Sequence, residues 1–185
     1  MQGKDQIDIK LFKLVSRAMA ESDDLEIMAT HLTQLLVSAL EVKGCAIFVL
    51  NPQSEELEVL ASFGLSIEYM NKGPVILNKS ISGRPKGEPT VITDVSDSGL
   101  LQYPRYAETE GIKAIASLPV QFKGRIIGTL RLYHRQPWQL SEQDLDFLTL
   151  LADNIGMAMM YTRLLHALKS VKASVDAVHA VWLQP

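Results

Sequence analysis

Cysteine is nearly absent from this chain of 185 residues: Cys45 is the only one. No intrachain disulfide can form, and a thiol relay needing two or three cysteines in one chain is excluded. Cys45 lies in the apolar run Cys-Ala-Ile-Phe-Val-Leu, which reads as a strand holding a small buried hydrophobe. A reactive thiol wants a basic or helix-N-terminal setting. Charge of one sign is scarce too. The net charge is −3, without the clustered basic surface that phosphate backbones require, so nucleic acid is not expected as a partner. No run approaches the ~18 apolar residues of a membrane span, and Lys4, Lys10, Lys13 and Arg17 interrupt the start, so no signal-peptide core forms. A cytoplasmic protein without a membrane partner is expected. Gly-rich phosphate loops before a helix and paired metal ligands at helical spacing are also missing. So is a nucleophile with a base and an orienter beside it in sequence. No catalytic residue, metal site or enzyme activity is expected.

What is present is ordinary globular material. The apolar fraction is 47% and the charged fraction 21%, enough to bury one core unaided. Residues 5–20 carry a helical stripe (Ile7, Leu11, Leu14, Val15, Ala18, Met19). Ser22 is the expected cap of a second helix whose buried face is Leu25, Met28, Leu32, Leu35, Leu36 and Ala39, with Gly44 just past its end. Cys45–Leu50 and a strand with Leu57, Val59, Ala61 and Phe63 on one face form a hairpin across Asn51–Ser54. A short helix is expected near Ile67–Asn71.

Val91–Thr93 reads as a short strand. Asp94–Gly111 reads as a polar irregular segment with one helical turn after Pro104. Lys113–Pro119 is a strand ending at its proline, Lys123-Gly124 a hairpin turn, and Arg125–Tyr133 a long strand in which Gly128 marks close packing. Ser141 opens a last helix with acids in its first turn. Continued to Leu183 it is about 60 Å long, longer than the domain is wide. Leu151, Ile155, Ala158, Thr162 and Leu165 step along it as a heptad-like seam, continued after one slip by Leu168, Val171, Val175, Val178 and Trp182. With Leu11 and Leu14 of the first helix, this seam is the expected homodimer contact.

Taken in order, Gly83-Arg84, Gly87-Glu88-Pro89, Thr93-Asp94-Val95, Tyr103-Pro104-Arg105-Tyr106 and Gly111-Ile112-Lys113 resemble a GAF domain. So do Ser117-Leu118-Pro119-Val120, Lys123–Gly128 and Leu140–Leu145. The resemblance covers about Asp24–Leu165. It implies an α+β fold, PAS-related: an antiparallel sheet of five or six strands, terminal helices on one face, and a roof of loops and short helices over a ligand pocket on the other. It also implies dimerisation through the terminal helices. The organisation follows: 1–22 an N-terminal helix for a dimer bundle, 23–165 the GAF domain, 166–185 a projecting or coiled-coil extension. No output domain is expected within the chain, so a signal would pass to a separate signalling protein.

The pocket candidates are Ile92, Ile115 and Ser117 on the floor and Asp94, Tyr103, Arg105, Tyr106 and Thr109 in the roof. Arg105 could fork onto a carboxylate or phosphate, and the tyrosines could stack on a planar ligand or plug the roof. Individual subfamilies fit poorly. Tyr133-His134, Trp138 and Glu142-Gln143 stand where the cyclic-nucleotide phosphodiesterase type has Asn-Lys, Phe and Asp-Glu. Cys45 is misplaced for a covalent bilin, and one cysteine is too few for a free methionine sulfoxide reductase. His31, His134, His166 and His179 do not form a supported haem site. Only Arg84-Pro85-Lys86 separates Gly83 from Gly87, where the family has a longer helical turn, and Pro85 disfavours a helical Arg84. A shortened roof is expected. The function implied is a non-catalytic sensor of an unknown small molecule; the alternative is a degenerate domain with a closed pocket, acting as a dimeric adaptor.

Overall fold

The structure, a computed structural model, describes residues 9–81, 87–97 and 99–182. Two helices open it, α1 (Ile9–Ala20) and α2 (Leu25–Leu40). The stripe expected over 5–20 is helical from Ile9; residues 5–8, and the short segment between Gly83 and Gly87, fall outside the described residues. Asp24, not Ser22, caps α2: its carboxylate accepts hydrogen bonds from the Glu26 and Ile27 amides. Ser22 instead braces Asp24, donating to its carbonyl at 3.0 Å. The buried face of α2 is turned slightly from the expected one, with Ala29, Thr33 and Leu40 buried and Ala39 exposed. Glu41 takes the left-handed conformation that ends the helix (φ 52°), so Gly44 belongs to the next strand.

Strands β1 (Gly44–Leu50), β2 (Leu57–Phe63), β3 (Thr90–Ile92), β4 (Ala114–Phe122) and β5 (Arg125–His134) form one antiparallel sheet in the order β2-β1-β5-β4-β3. Two departures from the expected strands have local causes. A β-bulge shifts register between Ile47 and Phe48, which pair with Ala61 and Val59. The extra residue turns Leu57 and Ala61 to opposite faces and leaves Val59 and Phe63 exposed. Pro119 lies inside β4 rather than at its end. β3 pairs only with Ile115–Ser117, so at Pro119 the strand has β5 alone as partner and one edge needs no donor. Gly128 does mark a close approach: a Cβ there would stand 2.2 Å from the Phe48 carbonyl oxygen. The β4–β5 turn places Lys123 and Gly124 at φ 49° and 73°, the geometry of a two-residue hairpin.

Two apolar layers flank the sheet. On one face, Leu118, Val120, Leu130 and Leu132 meet Met28, Leu32 and Leu36 of α2 and Leu148, Leu151 and Ile155 of the last helix, α5 (Glu142–Trp182). On the other, Phe48, Ile115 and Tyr133 lie under α3 (Ile67–Met70), α4 (Pro104–Thr109) and the loops between them. Helix α5 runs 41 residues, Glu142–Trp182, about 60 Å at the usual rise. Ser141 accepts from the Asp144 amide at its start. Gly156 lets α5 press against β4, since a Cβ there would lie 2.3 Å from the Gln121 carbonyl oxygen.

The seam expected to join two chains is largely spent within one. Leu11, Leu151, Ile155 and Thr162 are buried, Ala158 packs against the same core and Leu165 is half-buried; Leu14 and the continuation Leu168, Val171 and Val175 are exposed. Those last three continue an outward stripe other than the one through Leu151 and Ile155: Leu150, Met157, Tyr161, Leu164, Leu168, Val171 and Val175. Its steps are seven, four, three, four, three and four, with no slip.

Candidate functional site

Beneath the roof lies a small hollow with both polar and apolar lining. Tyr69 and Lys72 reach it from α3 and the turn after it, Val75, Ser80 and Ile81 from the following loop, and Leu101, Gln102, Tyr103 and Ala107 from the α4 region. Ile115 of β4 and Arg131 of β5 form the floor. Water centres have about 20 Å³ to occupy, room for roughly one or two molecules at ~10–15 Å³ each. Two larger concavities, of about 500 and 430 Å³, are open clefts on the domain surface.

Strand alternation sends Arg131 to the roof side while its neighbours Leu130 and Leu132 enter the helix-side core. The guanidinium is 5.1 Å from the Phe48 ring centre and donates from Nη2 to Ser80 Oγ at 3.0 Å. Lys72 folds back over α3: its ammonium donates to the Tyr69 carbonyl at 2.8 Å and lies 3.9 Å from the Tyr69 ring centre. Burial first, and the Arg131 charge second, lower the Lys72 pKa from 10.5 to about 8. Tyr69 meets Tyr133 edge to face at 5.6 Å. Burial raises the pKa of both hydroxyls. The Tyr133 hydroxyl is wholly buried and completes no hydrogen bond of ordinary geometry among the described residues.

The roof is tied down by its own polar groups. Tyr103 and Gln102 donate to the Pro74 carbonyl at 2.8 and 2.9 Å, and Gln102 accepts from the Ile76 amide. Below α4, Glu110 accepts from Lys43 Nζ at 2.7 Å, from the Ser66 amide at 3.1 Å and from the Ser66 hydroxyl. Desolvation pushes the Glu110 carboxyl upward, but these hydrogen bonds outweigh it and hold the pKa below the ordinary value.

Of the sequence candidates, Tyr103 and Ile115 line the hollow. Ile92 belongs to the same apolar layer without lining it. Ser117 is buried on the floor side but engages Thr129 at 3.2 Å. Asp94 accepts from the Ser96 amide at 2.9 Å and so closes its own turn. Arg105, Tyr106 and Thr109 are exposed, because α4 turns Ala107 inward. Tyr106 packs edge to face on Tyr103 at 6.1 Å. Arg131 and Lys72 escaped the sequence reading. A lone Arg between two leucines of a long strand was the available signal; Lys72 gave none, sitting in turn-like Asn-Lys-Gly-Pro.

Neither cysteine nor histidine is among the described lining residues. Cys45 is fully buried, and burial raises its pKa. His134 stacks on Trp138. Among the described residues no cluster of three or more His, Cys, Asp or Glu side chains could hold a metal ion, and no helix is long and apolar enough to cross a membrane.

A five-stranded antiparallel sheet with long helices on one face and a roofed hollow on the other is the architecture of a sensory domain. The chain belongs to the GAF domain family, a common signalling module, whose model matches residues 24–159. It is similar in structure to the GAF domain of a phosphoenolpyruvate-protein phosphotransferase from Coxiella burnetii (TM-score 0.76, 18% identity, 86% of this chain and 96% of that one). A free methionine-R-sulfoxide reductase from Neisseria meningitidis, solved with its substrate, is also similar (TM-score 0.70, 17% identity, 88% and 98%). So is a GAF domain/HD domain protein from Geobacter sulfurreducens (TM-score 0.62, 15% identity, 81% and 98%). At such identities the likeness is one of fold alone. No curated protein matches the sequence.

Proposed function

We propose that this chain is a non-catalytic sensing module of the cytoplasm, which holds a small ligand beneath its roof and reports it through α5 as a homodimer. One observation carries the reading: β4 has the hollow on one side and α5 on the other. Ile115 lines the hollow, while Ala114, Ala116, Leu118 and Val120 enter the core that α5 covers. Gly156 brings the helix into contact with the β4 backbone. A closely packed interior transmits displacement rather than absorbing it, so movement of β4 pushes α5. Ligand binding shifts this arrangement only if one state binds better than the other.

The outward stripe Leu150–Val175 is the dimer seam in this reading. It leaves the domain without a register slip and puts large apolar side chains into solvent, which a second copy would cover. Sedimentation equilibrium tests it. The wild-type chain is expected to be a dimer, and Leu164→Asp with Leu168→Asp a folded monomer whose melting temperature no longer depends on concentration. A wild-type monomer at micromolar concentration would sink the dimeric reading.

The size of the hollow favours a second reading, a closed domain acting as a dimeric adaptor. Normal dimerisation with no thermal shift across a metabolite library would select it.

A further inference from the structure

We propose that a second copy of this chain pairs with it in parallel and in register along the outward face of α5, and that Asn154 specifies that pairing. The proposal rests on the dimeric reading and names its geometry and the residue that sets it.

From Leu150 to Val175 the outward stripe falls on alternate d and a positions of one heptad repeat. The step of seven between Leu150 and Met157 is filled by Asn154, at an a position. Asn154 is half-buried, and its Nδ2 donates to the Leu150 carbonyl at 2.7 Å. A side-chain amide carries two N–H groups and an acceptor oxygen, so one donor and the oxygen remain for a group across the seam. In a parallel, in-register pair a meets a, and the two Asn154 amides bond each other. Antiparallel pairing sets a against d and presses the amide on Leu, Met or Val side chains. A parallel slip of one heptad sets one copy's Asn154 on Tyr161 and the other's on Phe147. Either alternative strips water from an amide without replacing its bonds. The flanking positions agree with the parallel pair. Asp153, Met160 and Ala167 at g face Ala158, Leu165 and Lys172 at e of the second copy, and no like charges oppose. The face is large enough for a stable partner: Leu148, Leu151 and Ile155 hold the opposite side of α5 on the sheet, and the stripe exposes roughly 700 Å² per copy, close to the ~800 Å² of one side of a standard interface.

The test uses the full chain, whose one native thiol, Cys45, is fully buried. Met157→Cys and Val171→Cys, both at d positions, are oxidised with copper phenanthroline at concentrations where each sediments as a dimer, then resolved on a non-reducing gel. The two positions lie about 21 Å apart along the helix. A parallel, in-register pair is expected to cross-link at both. An antiparallel pair brings at most one of them to its own copy, and a slipped pair neither. Asn154→Leu, combined with each cysteine, is expected to tighten association about tenfold and to lower cross-linking at both positions, because slipped and antiparallel pairs are no longer penalised. Lys169→Leu, exposed on the same helix and off the stripe, is expected to leave both readouts unchanged. A dimer that cross-links at one position or at neither overturns the pairing and spares the dimeric reading. Undiminished cross-linking in Asn154→Leu, or equal effects of the two leucine variants, overturns the role of Asn154. A wild-type monomer overturns the proposal and the dimeric reading together.

Discussion

On the helix side of the sheet, Leu118, Leu130 and Leu132 are covered by aliphatic side chains from α2 and α5, helices of 16 and 41 residues. On the roof side, Phe48, Ile115 and Arg131 are covered by helices of four and six residues and the loops between them. Long amphipathic helices deliver apolar groups at regular spacing, so the first layer fills completely. Short elements expose many backbone groups that must be satisfied locally, and the roof does this with Gln102, Tyr103, Ser66 and Glu110. The first layer therefore supplies most of the stability. The second keeps charge and a small hollow, and can change its contacts at less cost.

Truncation on each side breaks or sharpens that contrast most strongly. Leu118→Ala, at a fully buried position, is expected to cost about 2–5 kcal/mol, as large-to-small changes in rigid cores do. Ile81→Ala, buried in the roof at 3% exposure, should fall at or below about 2 kcal/mol because the short roof elements packed on it, α3 and α4, can settle into the space. Urea denaturation of both variants checks this. Equal costs would mean that the roof is packed as firmly as the core.

A smaller effect comes from the contact joining the two sides through β4. Gly156→Ala places a methyl 2.3 Å from the Gln121 carbonyl oxygen, so either α5 or the β4 backbone must yield. A loss of about 1–3 kcal/mol is expected from such overpacking. If α5 carries a ligand signal, this variant should also weaken the coupling between ligand and dimer, measured by sedimentation with and without the ligand. Full stability would show that helix and strand can part without cost.

The two regions also differed in how far they could be read from residues alone. The two hairpins at the Asn51–Ser54 and Lys123-Gly124 turns and the closeness at Gly128 have local signals, because turn residues and a strand glycine act within a few positions; the pairing of β1 with β5 has none. The bulge at Ile47/Phe48 has none: no glycine or proline marks it, and its effect is to switch which face of β2 is buried. Along α5 two heptad stripes coexist in the same residues, one through Leu151 and Ile155 and one through Leu150 and Met157. Periodicity cannot say which meets the sheet; Gly156 against β4 decides it. In the site, Tyr103 and Ile115 were accessible as a roof aromatic and a strand apolar. Arg105, Tyr106 and Thr109 were placed by composition, but the orientation of α4 depends on Ala107 fitting the roof, a tertiary fact.

The smallest expected effect is electrostatic and belongs to the roof side alone. The Glu110 carboxyl is held below its ordinary 4.5 by Lys43 and Ser66, against the opposing pull of desolvation. A carboxyl with a lowered folded pKa binds fewer protons folded than unfolded in that window, so stability rises with pH there. Its contribution is fully present above the unfolded value and is lost as pH falls through the lower folded one. Wild type should therefore lose stability between about pH 5 and pH 3, the range around an ordinary glutamate pKa. Glu110→Gln should flatten that part of the profile and lower stability at neutral pH by about 1 kcal/mol, the order of one charge-assisted hydrogen bond less its replacement by an amide. Leu118→Ala removes no titrating group, so it should shift the whole curve down without changing its slope. Parallel profiles for Glu110→Gln and wild type would remove the Lys43–Glu110–Ser66 cluster from the account of how the roof is held.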